Sequence, residues 1–155
     1  MENLSYFAVV DKSSWPRGEW DSEPDKCQFE TEVGLPGLIV RGPSGALCGY
    51  AAIPEGHKLF GRSYDASEVK AEAHGGLTFS GACKSGANEQ SDICHRPSPG
   101  EPEHVWWFGF DCAHAGDLMP SLWRRFSWSQ GGVYRNLSYV RAEVEALAKQ
   151  LKEQG

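Results

Sequence analysis

The stretch Val105-Trp-Trp-Phe-Gly-Phe-Asp-Cys-Ala-His-Ala-Gly-Asp117 is the clearest structural signal in this chain. Its first half is bulky and apolar at nearly every position, which is typical of a β-strand. Its second half is a Gly- and Ala-rich turn that carries Asp111, His114 and Asp117 at intervals of three residues. A strand that ends in polar side chains can hold them rigidly beside a ligand. The stretch therefore predicts a strand of a sheet followed by a functional site.

Alternation along this strand separates its side chains onto two faces. Phe108 and Cys112 fall on one face, which we assign to the core, so Cys112 is expected to be a buried thiol. Asp111 falls on the opposite face, which Gly109 should leave open. Asp111 is therefore the better candidate for a functional group.

The rest of the chain predicts a small sheet and one helix. Residues 38–41 and 47–53 are strand-like and flank the hairpin signal Gly42-Pro-Ser-Gly45. Residues 69–73 and 77–80 are typical of one strand interrupted by two glycines, whereas residues 1–34 are ambiguous. From about residue 137 to 153, apolar residues recur at steps of three and four, which indicates an amphipathic helix. We expect a single α+β domain over residues 1–155, with an antiparallel sheet of about four or five strands packed against one main C-terminal helix.

Composition limits the classes of function. The chain has 155 residues, 40% of them hydrophobic, and a formal net charge of −6. An acidic chain of this kind is unsuited to binding duplex nucleic acid, which requires a basic face. It shows neither a signal-peptide pattern nor an apolar run of about 20 residues, so we expect a cytoplasmic protein without a membrane partner. The acidic stretch 19–32 and the polar stretch 81–104 are both predicted to be surface loops.

The five cysteines are an odd number and include no C-x-x-C pair, so reduced thiols are expected. A thiol nucleophile at Cys112 with a histidine base conflicts with its place on the apolar face. An alternative is a zinc clip across the polar loop, although its spacing is irregular. Its ligands would be Cys83, Cys94, His95 and His104.

The polar residues after the strand have a counterpart at His74, which begins a Gly-Gly turn. Carboxylates and imidazoles are ligands of divalent metals such as Zn, Mn or Fe. The candidate metal ligands are His74, Asp111, His114 and Asp117, and the candidate catalytic residues are His74, Asp111 and His114. A divalent metal is the only cofactor that the sequence indicates. Two alternatives remain open: the carboxylates bind backbone amides of a tight turn in a structural role, or the residues form a metal-free acid–base or ligand-holding site.

Ligand binding is predicted from glycines, aromatic residues and arginines. The Gly75-Gly76 pair would let backbone amides approach an anionic ligand. The aromatic and basic segment 123–128 could bind phosphate and stack on bases, or its aromatic residues could simply be buried under a loop. The candidate ligand-binding residues are Gly75, Gly76, His57, Tyr64, Trp123, Arg124 and Arg125. No G-x-S-x-G, G-x-x-x-x-G-K-[ST] or G-x-G-x-x-G motif is present, which excludes serine acyl transfer and conventional nucleotide folds.

Four pieces of the chain together match a known pattern. They are Cys48-Gly-Tyr-Ala-Ala-Ile-Pro-Glu-Gly-His57, His74-Gly-Gly-Leu-Thr-Phe79, Gly109-Phe-Asp-Cys-Ala-His-Ala-Gly-Asp117 and Tyr139-Val-Arg-Ala-Glu143. In these pieces the chain resembles small uncharacterised proteins encoded by bacteriophages and prophages. The resemblance implies an accessory protein in the cytoplasm of a host cell, and it carries over no catalytic residues.

We therefore expect a phage-type accessory protein that binds a small phosphorylated or nucleotide-like ligand and either hydrolyses or sequesters it, which would counter host defence signalling. Hydrolysis would be of the metal-dependent phosphoesterase type. The alternative is a non-catalytic inhibitor that docks on a host protein through its acidic stretch and exposed tryptophans. A third hypothesis is binding of single-stranded nucleic acid by the segment 123–128.

Overall fold

A computed structural model of the chain describes residues 1–83, 88–123 and 132–155. Those residues contain six strands, a 3₁₀ helix at Glu19–Asp21 and one α-helix. The strands are β1 (Leu4–Tyr6), β2 (Lys26–Glu30), β3 (Pro36–Arg41), β4 (Leu47–Pro54), β5 (Phe79–Ala82) and β6 (Val105–Asp111), and the helix is α1 (Leu137–Glu153). The strands form one antiparallel sheet in the order β1-β2-β3-β4-β6-β5. The predicted α+β architecture is confirmed, with six strands instead of four or five.

The predicted β3–β4 hairpin and the strand β6 form the centre of the sheet. Tyr50 of β4 is paired with Gly109 of β6, and Cys48 with Asp111. This register places the carboxyl end of β6, and the turn that follows it, next to the beginning of β4.

The helix α1 begins and packs as the sequence predicts. The Asn136 side chain accepts a hydrogen bond from the Tyr139 backbone N–H at 2.9 Å, which caps the first turn. The apolar stripe of the helix is buried from Val140 to Leu151 in one core with Phe108 and Phe110 of β6, and Leu137 packs against that core partly buried. Burial of a large side chain contributes about 1.5–3 kcal/mol, so this contact fixes the helix on one face of the sheet.

The opposite face of the sheet is also covered, which corrects the expectation of an open face. Trp107 is 0% exposed and lies in a second apolar cluster with Leu38 and Tyr50. The Tyr50 ring fills the space above Gly109, since a Cβ at Gly109 would lie 2.5 Å from Tyr50 Cε2. The missing side chain of Gly109 therefore makes room for an aromatic ring and not for a ligand.

The polar stretch 81–104 is a cover for this second face. Its first two residues belong to β5. The buried Lys26 donates to the Glu89 carbonyl at 2.6 Å and forms an ion pair with Asp92 at 2.6 Å. The Gln28 side chain accepts from the Arg96 backbone N–H at 2.7 Å. These contacts anchor the loop to β2.

The prediction of a strand at residues 69–73 is wrong. The backbone of this segment bonds to the side chains of two glutamines, one in α1 and one directly after it, and not to another strand. The Gln154 side chain bonds both the N–H and the carbonyl of Lys70, and Gln150 does the same for Glu72. The segment therefore runs along the helix.

The acidic stretch 19–32 is not the solvated loop that its charge suggested. Its 3₁₀ helix and β2 occupy much of it, and Asp25 is buried. Asp25 forms ion pairs with Arg41 at 2.7 Å and Lys12 at 2.6 Å. Glu23 accepts from the backbone N–H of Leu137 at 2.7 Å. These acids are used to hold the N-terminal segment against β3 and the start of α1.

Cys83 and Cys94 form a disulfide, so the expectation of five reduced thiols is wrong for this pair. Their Cα atoms lie 4.9 Å apart because the anchored loop returns to the end of β5. Cys27, Cys48 and Cys112 are free thiols. Among the described residues, no helix is long and apolar enough to cross a membrane.

Candidate functional site

Three segments that are distant in sequence meet beside the end of β6. They are the turn 112–117, the turn 74–76 and the residues that lead into α1. Val133 pairs with Asp117 in an isolated parallel bridge, and the Leu118 N–H donates to the Val133 carbonyl at 2.9 Å. This bridge brings Arg135 to the turn that carries His114 and Asp117.

Asp117 is the centre of the site, and its side chain is only 1% exposed. It accepts hydrogen bonds from His74 Nε2 at 2.8 Å, Arg135 Nε at 2.9 Å and the His114 backbone N–H at 3.1 Å. Burial disfavours the carboxylate, but these hydrogen bonds outweigh it and lower the pKa of Asp117 below its usual 3.8. Asp117 is therefore a buried anion at neutral pH.

His74 connects Asp117 to the helix. Its Nε2 faces the carboxylate, and its Nδ1 lies 2.8 Å from the Tyr139 hydroxyl. Burial foremost, and then nearby Glu143, raises the pKa of Tyr139, so this hydroxyl keeps its proton at neutral pH. Both ring nitrogens of His74 thus have partners, and the orientation of the ring is fixed.

His114 lies against the backbone of the other turn. Its ring stacks edge-on to His74, with centroids 5.9 Å apart. Its Nε2 is 3.5 Å from Asp111 Oδ1, whereas its Nδ1 is buried and has no hydrogen-bond partner. A Cβ at Gly75 would lie 2.5 Å from that Nδ1. The absence of a side chain at Gly75 therefore makes room for the His114 ring.

The arrangement suits a divalent metal ion. One ligand atom each from His74, His114 and Asp117 can be chosen so that all three lie within 4.8 Å of one another. His114 Nδ1 is 3.6 Å from Asp117 Oδ2, a separation that a shared ion would span. The other ring nitrogen of each histidine faces a further side chain: the Tyr139 hydroxyl hydrogen-bonds His74 at 2.8 Å, and the Asp111 carboxylate lies 3.5 Å from His114. Such partners orient the histidine ligands of metal centres.

Asp111 lies beside this group of three ligands and not within it. It accepts from the Ala113 backbone N–H at 3.1 Å and from the Thr78 hydroxyl at 3.1 Å. The backbone hydrogen bonds expected of a structural turn are thus present at Asp111, as they are at Asp117. They are compatible with a metal, because a ligating or neighbouring carboxylate is normally hydrogen-bonded as well.

Several predicted ligand-binding residues lie elsewhere. His57 lies near the far end of α1, where its Nε2 contacts the Leu151 carbonyl at 2.7 Å. Leu151 is twelve helical residues, or about 18 Å, from Tyr139 of the site. The backbone of the exposed Tyr64 bonds Ser80. Trp123 stacks edge-on to Trp20. Arg124 and Arg125 lie outside the described residues. Gly76, in contrast, lies in the turn of the site next to Gly75 and has a φ of +88°. A Cβ added to Gly76 would have no other atom within 4 Å.

Sequence reasoning missed two members of the site, Arg135 and Tyr139. Arg135 lies in neither of the two predicted glycine-rich turns nor in the predicted helix. Its guanidinium carbon lies 4.9 Å from the centroid of the Tyr139 ring, so the two side chains form one wall of the site. No spacing in the sequence connects either residue to His74 or Asp117, which the fold brings next to them.

Cys112 is buried in the core as predicted. Burial, followed by the neighbouring Asp117 charge, strongly raises the pKa of its thiol, so it remains protonated at neutral pH. A thiolate nucleophile at this position is therefore excluded.

Comparisons with protein-family models, with curated protein sequences and with solved structures find no match for this chain. Its function is therefore inferred from the contacts described above.

Proposed function

We propose that this protein binds a divalent metal ion between His74, His114 and Asp117 and uses it to hold and hydrolyse a small phosphorylated or nucleotide-like ligand. The observation that carries the proposal is the buried Nδ1 of His114, which has no hydrogen-bond partner and lies 3.6 Å from Asp117. A buried nitrogen without a partner costs about 1–3 kcal/mol. A metal ion would remove that cost.

The charges around the site favour an anionic ligand. A divalent ion and the Arg135 guanidinium, which donates to Asp117 at 2.9 Å, would both present positive charge to a ligand at this site. Arg135 is 27% exposed beside the buried carboxylate, and a guanidinium fork suits phosphoryl oxygens.

The exposure of the site suits a bound water and a ligand. His114 and Asp111 are each about one-third exposed, whereas Asp117 is buried. Three protein ligands around an ion with one open side are typical of catalytic centres, where the metal lowers the pKa of a bound water. We assign His74, His114 and Asp117 to metal binding, and Asp111 to orienting His114.

The resemblance to phage-encoded proteins extends the proposal to its biological setting. We propose that the protein acts in the cytoplasm of a host cell and that its ligand is a nucleotide-like signal of host defence. The alternative of an acidic or aromatic docking surface has less support. Asp25 and Glu23 are held in internal contacts, and no tryptophan among the described residues is fully exposed.

The proposed activity is tested by product release from p-nitrophenyl phosphate and from cyclic and linear nucleotides, with Mn²⁺ or Zn²⁺ added. We expect metal-dependent hydrolysis of at least one substrate, and a loss of about 100-fold in His114→Ala. The control is His104→Ala, since His104 is exposed and outside the cluster. Metal-dependent nucleotide binding without product would leave sequestration as the function. Equal hydrolysis in the two variants would contradict the proposal.

A further inference from the structure

We propose that Cys83, Cys94 and His95 form a second metal site, which is closed when the cysteines are joined as a disulfide and binds Zn²⁺ when they are reduced. This site lies in the loop that covers the second face of the sheet, and it does not depend on the function proposed above. Ligand atoms of the three residues lie within 4.8 Å of one another. Two thiolates and an imidazole are a preferred donor set for zinc.

His95 provides the independent evidence for a ligand. It is 7% exposed, and its Nδ1 is buried without a hydrogen-bond partner. Its ring packs edge-on against Trp107, with centroids 5.4 Å apart. Burying an imidazole nitrogen without a partner is costly in a purely structural loop, and a ring nitrogen of His95 lies within 4.8 Å of the sulfurs with which it would share an ion.

The surroundings of Cys83 favour a thiolate. The Trp107 indole N–H donates to Cys83 Sγ at 3.2 Å. A hydrogen bond to sulfur stabilises its anionic form, the form that binds metals. The indole N–H thus contacts the sulfur in the disulfide and would stabilise the thiolate after reduction.

The framework of the site does not depend on the disulfide. Cys83 directly follows β5, which is paired with β6. On the other side, Lys26 holds Asp92, and Gln28 holds Arg96, so the chain is anchored to β2 both before and after the Cys94-His95 pair. Reduction should therefore release the two sulfurs without releasing the loop.

The chemistry balances with an external two-electron reductant of the dithiol or phosphine class. A phosphine and one water break the sulfur–sulfur bond, giving two thiols and a phosphine oxide. Zinc then displaces the two thiol protons and binds two thiolates and neutral His95, with a water as the fourth ligand. An external disulfide that accepts the two electrons, and takes up two protons as it becomes two thiols, would re-form the Cys83–Cys94 bond and expel the ion.

The test counts bound zinc in oxidised protein and in protein reduced with a water-soluble phosphine, each after removal of free metal. It is run in His114→Ala, which isolates the second site from the first. We expect about one more Zn²⁺ per chain in the reduced form than in the oxidised form. The same difference is expected in the wild type, whether or not its first site is occupied. Cys94→Ser should lose the difference, whereas Cys48→Ser, which removes a thiol outside the cluster, should keep it.

A measurement on the unaltered chain guards against misfolded variants. Co²⁺ bound by thiolates gives a sulfur-to-cobalt charge-transfer absorption, which should appear after reduction and disappear after reoxidation.

His95→Ala should weaken Zn²⁺ binding to the reduced form by at least about tenfold. Equal zinc content in reduced and oxidised protein, or a cobalt spectrum without a thiolate band, would overturn the proposal.

Discussion

Substitution of Gly75 by alanine should displace His114 while leaving the fold intact. Gly75 has a φ of +70°, and an added Cβ would lie 2.5 Å from His114 Nδ1. Its neighbour Gly76 has a φ of +88°, but no atom lies within 4 Å of an added Cβ. The two glycines are therefore a matched pair. Both alanine variants are strained in the backbone, and only Gly75→Ala collides with the proposed metal ligand.

The size of the effect follows from these contacts. A left-handed backbone costs alanine about 1–2 kcal/mol, so each variant should lose about 2–8 °C in Tm. Non-bonded carbon and nitrogen atoms normally approach to about 3.5 Å, so the His114 ring must retreat by about 1 Å in Gly75→Ala. Metal sites tolerate displacements of about 0.2 Å. A misplacement of a functional group by 1 Å costs about 100-fold in catalytic rate. We expect a loss of similar size in the affinity for Zn²⁺.

The assay is a competition between the protein and a chromophoric chelator for Zn²⁺, in oxidised protein so that the cysteine site is closed. Tm is measured on the same samples. Gly76→Ala should keep metal affinity within a few-fold of the wild type, despite its lower Tm. If Gly75→Ala binds Zn²⁺ as tightly as Gly76→Ala, or if both lose affinity equally, the assignment of His114 Nδ1 as a ligand is wrong.

Two further predictions concern the fold. Asp25→Asn should destabilise the protein by about 3–5 kcal/mol near neutral pH, since it removes the anion at 2.7 Å from the buried Arg41 and leaves only Glu23 at 3.5 Å. Burial opposes ionisation of Asp25, but hydrogen bonds from Lys12, the Val10 backbone and Arg41 lower its pKa below 3.8, so its contribution is present above pH 3.8 and lost as pH falls further. In urea unfolding, the difference in free energy of unfolding between the wild type and Asp25→Asn should therefore become smaller in acid. A difference that does not change with pH would argue against this ion pair. Gly49→Ala places a Cβ 2.5 Å from Phe110 Cζ at the helix–sheet contact, so urea unfolding should show a loss of about 1–3 kcal/mol, and unchanged stability would contradict this packing.

The elements that the sequence predicts well are those with strong local periodicity. The strands β3, β4 and β6 and the helix α1 each carry their own pattern of apolar residues, and each appears where it is expected. The short strand β1 and the charged strand β2 carry no such pattern and acquire their structure from their neighbours in the sheet. Residues 69–73 look strand-like, but Gln150 of α1 and Gln154 at its end hydrogen-bond the backbone at Lys70 and Glu72.

The candidate site was predictable from local sequence only in part. His74, His114 and Asp117 stand out by residue type beside glycine-rich turns, and the structure brings them together. Arg135 and Tyr139 reach the site through the bridge between Val133 and Asp117, a contact without a sequence signature. The pairing of Cys83 with Cys94 likewise depends on how the polar loop is anchored.

The buried acids of the stretch 19–32 show that residue composition does not predict which charged side chains form internal contacts. The charge of the stretch 19–32 suggested a solvated segment, because charge runs usually lie at the surface. Here Asp25 and Glu23 meet partners far along the chain, Arg41 and the start of α1. Charge count alone could not distinguish a solvated acid from one that holds two segments together.

Native mass spectrometry of the oxidised protein after incubation with Zn²⁺ or Mn²⁺ tests the central claim most directly. We predict the added mass of one divalent ion per chain, kept in His104→Ala and lost in His114→Ala, while circular dichroism shows both variants folded. A wild-type mass without an added ion, or an ion that His114→Ala retains, would contradict a metal centre formed by His74, His114 and Asp117.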